Sequence, residues 1–186
     1  MIKHTWKINK DKFILNYYIC KKISHKFQIM DQSIIEFITK QKTASVCCVD
    51  RGRPYCFSCY YSFNADEGLL YFKSSTDTHH MNLLMKDPVV AGTILPDKLQ
   101  QLAIRGIQFQ GVMLPAHDLR TKDAYKNYHK AFPFALMISG DVWAIQIDQI
   151  KMVDNTKGFK HKTSWFRTET LVCLTSLSFK LCLEKS

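Results

Sequence analysis

The segment at residues 74–80, with the sequence SSTDTHH, has the residue types of an anion-binding site. It follows a strand-like run and precedes a short amphipathic stretch, so a helix is predicted to begin here. Unpaired backbone N–H groups and the positive end of the helix dipole favour a negative group at such a position. The hydroxyls of Ser74, Ser75 and Thr78 would add donors, and protonated His79 or His80 would pair with a phosphate. The alternative is an ordinary capped helix with exposed histidines.

The cysteine spacing argues against a zinc or dithiol motif. Cys56 and Cys59 are three residues apart on a predicted strand, where such positions point to opposite faces of the sheet. The adjacent cysteines Cys47 and Cys48 cannot form such a motif either, because neighbouring residues of a strand also point to opposite faces. No second pair stands at zinc-ribbon spacing. We therefore predict core or wall cysteines. Reduced thiols in the cytoplasm are the default, because the seven cysteines are irregularly spaced and no secretory signal precedes them. Adjacent histidines do not converge on an ion, so no metal site is expected.

Motifs for nucleophilic or nucleotide chemistry do not occur in the sequence. It contains no Ser/His/Asp nucleophile signature, no phosphate-binding glycine loop and no dinucleotide-binding fingerprint. Several aromatic side chains would suit stacking on a planar ligand, but a place in the core is the preferred interpretation of each: Tyr60, Phe109, Trp143 and Trp165. The segment at residues 74–80 is therefore the clearest candidate for a binding site.

The net charge of +10 at first suggests a nucleic-acid partner, but its distribution does not support one. Residues 1–29 carry seven lysines and one aspartate, which is +6 of the total. The remaining chain is only modestly basic, which suits an anionic small molecule as well as a polyanion. Nucleic acid is therefore not expected as a partner. No apolar run approaches the roughly 20 residues that a membrane span needs, so no membrane association is expected either.

The elements that must position these residues are mostly short antiparallel strands. Residues 89–95 and 104–111 are predicted to form a hairpin. Gly92, Gly106 and Gly111 lie inside its strands rather than in its turn. Glycine in a strand interior marks a bulge, a bend or a close backbone approach. Three of them in one hairpin indicate a small, sharply curved antiparallel barrel.

The rest of the pattern completes a mainly β, α+β chain with about six strands. Further strands are predicted at residues 43–50, 54–63, 69–74 and 142–153. Short helices are predicted after a cap at Asp31, at residues 81–85 and at residues 118–130. These elements indicate an antiparallel barrel with short decorating helices.

Three regions are expected along the chain. Residues 1–29 show no clear period and are interpreted as an upstream extension, the alternative being a basic arm that binds an acidic partner. Residues 30–167 hold the barrel elements and are expected to form one domain. Residues 168–186 are expected to be an added strand or a divergent terminus.

Several segments, in this order, resemble the pyridoxamine-phosphate-oxidase-like FMN-binding split-barrel superfamily, and most closely a small bacterial branch of it with no assigned substrate. The matching segments are PYCFSCYYSF (54–63), LLYFKSSTDTHH (69–80), DPVVAGTI (87–94), IRGIQFQG (104–111), YHKAFPFA (128–135), VWAIQIDQIKMVDNTKGF (142–159) and KTSWFR (162–167). The resemblance covers residues 30–167, and so long a string of ordered motifs is specific. It implies a six-stranded antiparallel split β-barrel.

The resemblance also implies a homodimer with FMN in each of two clefts between the subunits. The strand at residues 54–63 would lie along the isoalloxazine ring. The implied cofactor-binding residues are Cys56, Phe57, Ser58 and Cys59 for the ring, Lys73, Ser74, Thr78, His79 and His80 for the phosphate, and Gln108 reaching the flavin from the other subunit. Arg105, Trp143, Trp165 and Arg167 are candidates for the substrate side, although the resemblance fixes none of their roles.

Two departures from the superfamily bear on function. His79 and His80 stand where an Arg-Lys or Arg-His pair is common. Histidine is only partly charged near neutrality, so FMN binding is expected to be weaker, to fall as pH rises from 6 to 8, and to tighten in His79→Arg. The chain also lacks the arginine-rich ending Arg-Leu-x-Pro of the vitamin B6 oxidases, so that activity is not expected.

The expected function is therefore that of a cytoplasmic, dimeric, flavin-dependent oxidoreductase whose flavin carries the chemistry, without a catalytic side chain. NADH and NADPH are candidate electron donors, and the sequence identifies neither the donor nor the substrate. A flavin carrier without turnover and a basic interaction protein that uses the barrel as a scaffold are the alternatives.

Overall fold

All the strands of the described chain belong to one antiparallel sheet that curves into a barrel. The computed structural model describes residues 29–98, 104–157 and 161–168. The strands are β1 (Thr43–Asp50), β2 (Arg53–Asn64), β3 (Leu69–Ser74), β4 (Val89–Ile94), β5 (Arg105–Met113), β6 (Asp141–Asp154) and β7 (Lys162–Phe166). The α-helices are α1 (Gln32–Lys40), α2 (His79–Leu84) and α3 (Ala124–Ala131). Almost all of the predicted basic extension and C-terminal tail lies outside the described residues.

Six strands form a closed ring of hydrogen-bonded neighbours. The strand order is β3-β2-β1-β4-β5-β6-β7, and an additional pairing of β3 with β6 closes the ring. β6 is 14 residues long, and this length lets it pair with β3, β5 and β7. The prediction of a six-stranded antiparallel barrel with short helices is confirmed. β7 is an additional strand on the edge of β6.

The barrel interior is filled by alternate residues of the strands. In β1, for example, Ala44, Val46 and Cys48 are buried while their neighbours face outward. Helix α1 adds Ile34 and Ile38 to the same core, as its predicted apolar stripe requires. A second, smaller core lies where α3 covers the outer face of β3, so that β3 is buried on both faces.

Two of the predicted strand glycines mark close backbone contacts. A Cβ at Gly92 would collide with the ring of Phe109, and a Cβ at Gly111 would collide with the backbone carbonyl of Gln146. The register of β5 against β6 shifts between Gln110 and Gly111, which is a β-bulge. The prediction that glycines inside these strands mark a bulge or a close approach is confirmed at both positions.

One predicted helix is wrong in extent. The pattern at residues 118–130 predicted a single helix, but the structure has a 3-10 turn at Leu119–Thr121 followed by α3. The side chain of Asp118 accepts a hydrogen bond from the backbone N–H of Arg120 and so caps the short turn. No helix among the described residues has the length and apolarity needed to cross a bilayer.

Candidate functional site

The turn after β3 brings the hydroxyls and one imidazole of the predicted phosphate segment together. Ser74 Oγ lies 2.8 Å from His80 Nε2, and Thr78 Oγ1 lies 3.2 Å from the same nitrogen. The two hydroxyl oxygens are 3.2 Å apart. All three side chains are half-buried. This arrangement is a small cluster of groups that can donate hydrogen bonds to an anion.

His80 is held in this cluster by the neighbouring strand. Its ring stacks on Phe57 of β2, with centroids 4.0 Å apart and planes inclined by 14°. Burial lowers the pKa of His80 below its usual 6.5, and the nearby His79 lowers it further. His80 is therefore mostly neutral at pH 7 and offers a single N–H donor there.

His79 points away from the cluster. Its Nε2 lies 3.9 Å from the Asp50 carboxylate, its ring packs edge-on against Tyr55, and its side chain is 55% exposed. Successive residues of a helix point in directions about 100° apart, which explains the divergence. The structure therefore brings one of the two implied histidines to the hydroxyl cluster and places the other at the β1–β2 hairpin.

Lys73 brings an ammonium group to this region. Its ammonium group donates to the carbonyl of Ala135 at 2.7 Å and lies 3.4 Å from His129 Nε2. The backbone behind it is also fixed, because the indole of Trp143 donates to the carbonyl of Ser74 at 3.1 Å. Lys73 and the hydroxyl cluster are thus positioned by contacts to β6, α3 and the segment after α3.

Six of the ten predicted cofactor residues line one cavity of about 250 Å³ beside this cluster. They are Phe57, Ser58, Cys59, Lys73, Ser74 and His80. The opposite wall comes from α3 and the segment that follows it, through Tyr128, Phe134 and Ile138. The cavity therefore has an aromatic and aliphatic wall and a polar end with one cation.

The cavity contains no activated nucleophile among its described residues. Burial raises the pKa of the Cys59 thiol to about 12, so it stays protonated at neutral pH. Burial likewise raises the pKa of the Tyr128 hydroxyl to about 12. The cavity is therefore suited to binding rather than to chemistry by its own side chains.

Two of the other predicted cofactor residues lie on the outer face of the sheet. Cys56 and Gln108 line a second concavity of about 530 Å³, together with Cys47, Gln149 and Lys151. The prediction that Gln108 serves the flavin of the other subunit is compatible with this position and stays a prediction.

The four substrate-side candidates make structural contacts within the chain. Arg105 pairs with Asp154 at 3.1 Å. Arg167 donates to the carbonyls of Glu67, Gly68 and Ile147 at 2.8–3.0 Å. Trp143 and Trp165 are both core residues. Of these four, only Trp143 contacts the hydroxyl cluster, through the carbonyl of Ser74.

Sequence analysis missed two features of this region. His129 beside Lys73 was not singled out, although it lies in the segment YHKAFPFA. Cys47 and Cys56 form a disulfide, which corrects the expectation of reduced wall cysteines at these two positions. The sequence contains the information needed to predict this disulfide. Cys47 stands four residues before Arg51 and Cys56 four residues after Gly52, so a two-residue turn at Arg51-Gly52 places the two cysteines opposite each other in the hairpin.

Comparison with known proteins identifies close relatives. A UPF0306 protein of Photorhabdus laumondii is 32% identical over 136 residues, which are 73% of this chain and 95% of the relative. A UPF0306 protein of Serratia proteamaculans is 34% identical over 139 residues, 74% of this chain and 95% of the relative. No family model matches the chain.

Solved structures share the fold at low sequence identity. A heme binding protein from Mycobacterium smegmatis has a TM-score of 0.60 at 16% identity, over 74% of this chain and 59% of that one. A pyridoxamine 5′-phosphate oxidase-related, FMN binding protein from Nostoc punctiforme has a TM-score of 0.54 at 10% identity, over 74% and 90% of the chains. A FAD-binding protein from Mesorhizobium loti has a TM-score of 0.53 at 15% identity, over 63% and 89%. The chain therefore has the split-barrel fold of the pyridoxamine-phosphate-oxidase-like proteins.

Proposed function

We propose that this chain, which belongs to the UPF0306 family, binds FMN as a homodimer and is a flavin-dependent oxidoreductase. The observation that carries the proposal is the convergence of six predicted cofactor residues, from β2, β3 and α2, on one cavity. The resemblance of the sequence implies these residues without any use of the structure, and they come from three successive elements of the chain. Fold neighbours that bind FMN or FAD give additional support.

The residues present fit the chemistry of FMN. A phosphate needs donors and positive charge, and Ser74, Thr78 and His80 offer donors beside the cation of Lys73. A planar ring needs an apolar wall, and Phe57 and Phe134 are among the residues that line the cavity. The bound flavin would supply hydride or electron transfer, and the side chains described here would bind and orient it.

The size of the cavity supports the proposed dimer. Its volume of about 250 Å³ is below the roughly 300–1,000 Å³ of typical cofactor pockets. One protomer would therefore enclose only part of FMN, and a second copy would complete the site. Gln108, on the outer face of the sheet, is the residue that we expect the second copy to contribute.

The first test is the visible spectrum of the purified full-length protein, before and after addition of FMN. Flavin absorbance that remains after gel filtration supports the proposal. Colourless protein that does not bind added FMN contradicts it. A Soret band would show that the bound cofactor is heme instead of FMN. Anaerobic addition of NADH or NADPH then separates an enzyme, whose flavin is bleached and recovers in air, from a carrier, whose flavin is not.

A pair of matched variants tests the site itself. Ser74→Ala removes a hydroxyl of the cluster, whereas Thr76→Ala removes an exposed hydroxyl of the same turn. A lost hydrogen bond of about 0.5–1.5 kcal/mol weakens FMN binding roughly two- to tenfold. We expect this loss for Ser74→Ala and an unchanged dissociation constant for Thr76→Ala. Equal effects of the two would place the phosphate elsewhere.

A further inference from the structure

The disulfide between Cys47 and Cys56 joins two neighbouring strands directly across their pairing. The two residues are register partners in the β1–β2 hairpin, with Cα atoms 4.2 Å apart. Arg51 and Gly52 both have positive φ, which gives the tight two-residue turn that fixes this register. The sulfur atoms are therefore brought together by the hairpin itself, in either redox state.

The disulfide lies on the outer face of the sheet rather than in the core. Cys56 is exposed and Cys47 is half-buried, and both line the concavity of about 530 Å³ on that face. Disulfides that are accessible in this way are the ones that exchange with external thiols, whereas buried structural disulfides resist exchange.

The other described cysteines do not compete for exchange with this pair. Cys48 points into the core, and its thiol lies 3.6 Å from the carbonyl of Tyr55. Burial raises the pKa of the Cys48 thiol and raises that of Cys59 to about 12. The thiolate is the reactive form, so neither residue is a ready nucleophile near neutral pH.

The surroundings of the pair favour a small, negatively charged thiol. Lys151 provides a cation in the concavity, and Gln108, Gln110 and Gln149 provide amide groups that can pair with a peptide-like molecule. Gln108 is also the residue that we expect to approach a second copy of the chain. A second copy on this face would restrict access to small molecules.

We propose that Cys47 and Cys56 form a reversible thiol–disulfide site whose reaction partner is a low-molecular-weight anionic thiol of the glutathione class. The thiolate of one such molecule attacks the sulfur of Cys56, the bond between the two cysteines breaks, and Cys47 leaves as a thiolate that takes up a proton. The thiolate of a second small molecule then attacks the small-molecule sulfur of the mixed disulfide, and Cys56 leaves as a thiolate that takes up a proton. The products are two protein thiols and one small-molecule disulfide, so two electrons pass from the small thiols to the protein.

The test is a redox titration of the native, full-length chain in mixtures of reduced and oxidised glutathione. Free thiols are trapped by alkylation at each ratio, and peptide mass spectrometry follows Cys47 and Cys56. We expect one reversible two-electron transition that is lost in Cys56→Ser and retained in Cys48→Ala. The readout does not involve flavin, so it can fail or succeed independently of the proposed function.

Three outcomes would overturn the proposal. One is a disulfide that exchanges only in denaturant and never in the folded chain. Another is a transition that survives in Cys56→Ser, which would place it at other cysteines. The third concerns the charge of the small thiol. The rate with glutathione divided by the rate with the cationic thiol cysteamine should be higher for the native chain than for Lys151→Gln. An unchanged ratio of the two rates would refute the choice of an anionic thiol.

Discussion

Removing the imidazole of His80 is expected to change how FMN binding depends on pH. His80 Nε2 lies within 3.2 Å of both hydroxyls in the proposed phosphate cluster. Because burial and His79 lower its pKa below 6.5, His80 gains its positive charge only as pH falls below that value. A protonated His80 would then offer the phosphate a charge-assisted hydrogen bond.

The size of the effect follows from the two kinds of hydrogen bond. A bond to a charged group contributes about 1.5–3 kcal/mol, against about 0.5–1.5 kcal/mol for a neutral one. The difference of about 1–1.5 kcal/mol corresponds to roughly five- to tenfold in the dissociation constant. By linkage, bound FMN should raise the pKa of His80. The sequence predicted a change between pH 6 and 8, and the lowered pKa moves most of it below pH 6.5.

The measurement is the FMN dissociation constant of the native chain and of His80→Gln between about pH 5.5 and 8, by flavin fluorescence. A phosphate monoester takes up its own proton near pH 6, so the useful quantity is the ratio of the two constants at each pH. We expect this ratio, variant over native, to be constant above pH 7 and to rise roughly five- to tenfold toward pH 5.5. Riboflavin, which lacks the phosphate, should show no such rise. A flat ratio for FMN would refute the role of His80.

Three further predictions concern the scaffold and the second histidine. Gly111→Ala should lower the free energy of unfolding, measured by urea denaturation, by about 1–3 kcal/mol, because the added Cβ would collide with the backbone of β6. In the control Gly106→Ala the added Cβ meets mainly a flexible leucine side chain, so the free energy of unfolding should fall less. Arg167→Ala should lower the free energy of unfolding by about 1–3 kcal/mol in the same assay, because three backbone carbonyls lose a hydrogen-bond donor. An unchanged urea midpoint would contradict this prediction. His79→Arg should change the FMN dissociation constant by less than about twofold, since this position faces Asp50. A tenfold decrease would instead support the role of His79 in phosphate binding that the resemblance implies.

The barrel could be predicted from the sequence because apolar and polar residues alternate along its strands and glycines stand inside them, and both patterns are local. Gly92 and Gly111 lie inside predicted strands, and each proves to be a point of close backbone approach. The single helix predicted at residues 118–130 is divided at residues 122–123, between the 3-10 turn that Asp118 caps and helix α3. Apolar periodicity does not report such a break.

The candidate site was predictable in composition but not in geometry. Resemblance identified the residues of the turn after β3, and spacing alone could not show that His80 turns inward while His79 faces Asp50. The Cys47–Cys56 pair was missed for a related reason. Spacing along one strand does not reveal this contact, because the contact lies across the hairpin, where the turn determines the register.

If the chain binds FMN as proposed, the division of the predicted residues between two surfaces would connect FMN binding to association of the chain. Six of them line the small cavity, while Gln108 lies on the outer face, in a different concavity. If one FMN contacts the cavity of one copy and Gln108 of another, only the dimer presents the whole site. Reciprocity of binding free energies then requires FMN to strengthen dimerisation by the same factor by which dimerisation strengthens FMN binding. Gln108→Ala should then weaken both, although Gln108 lies outside the cavity proposed for the rest of the cofactor.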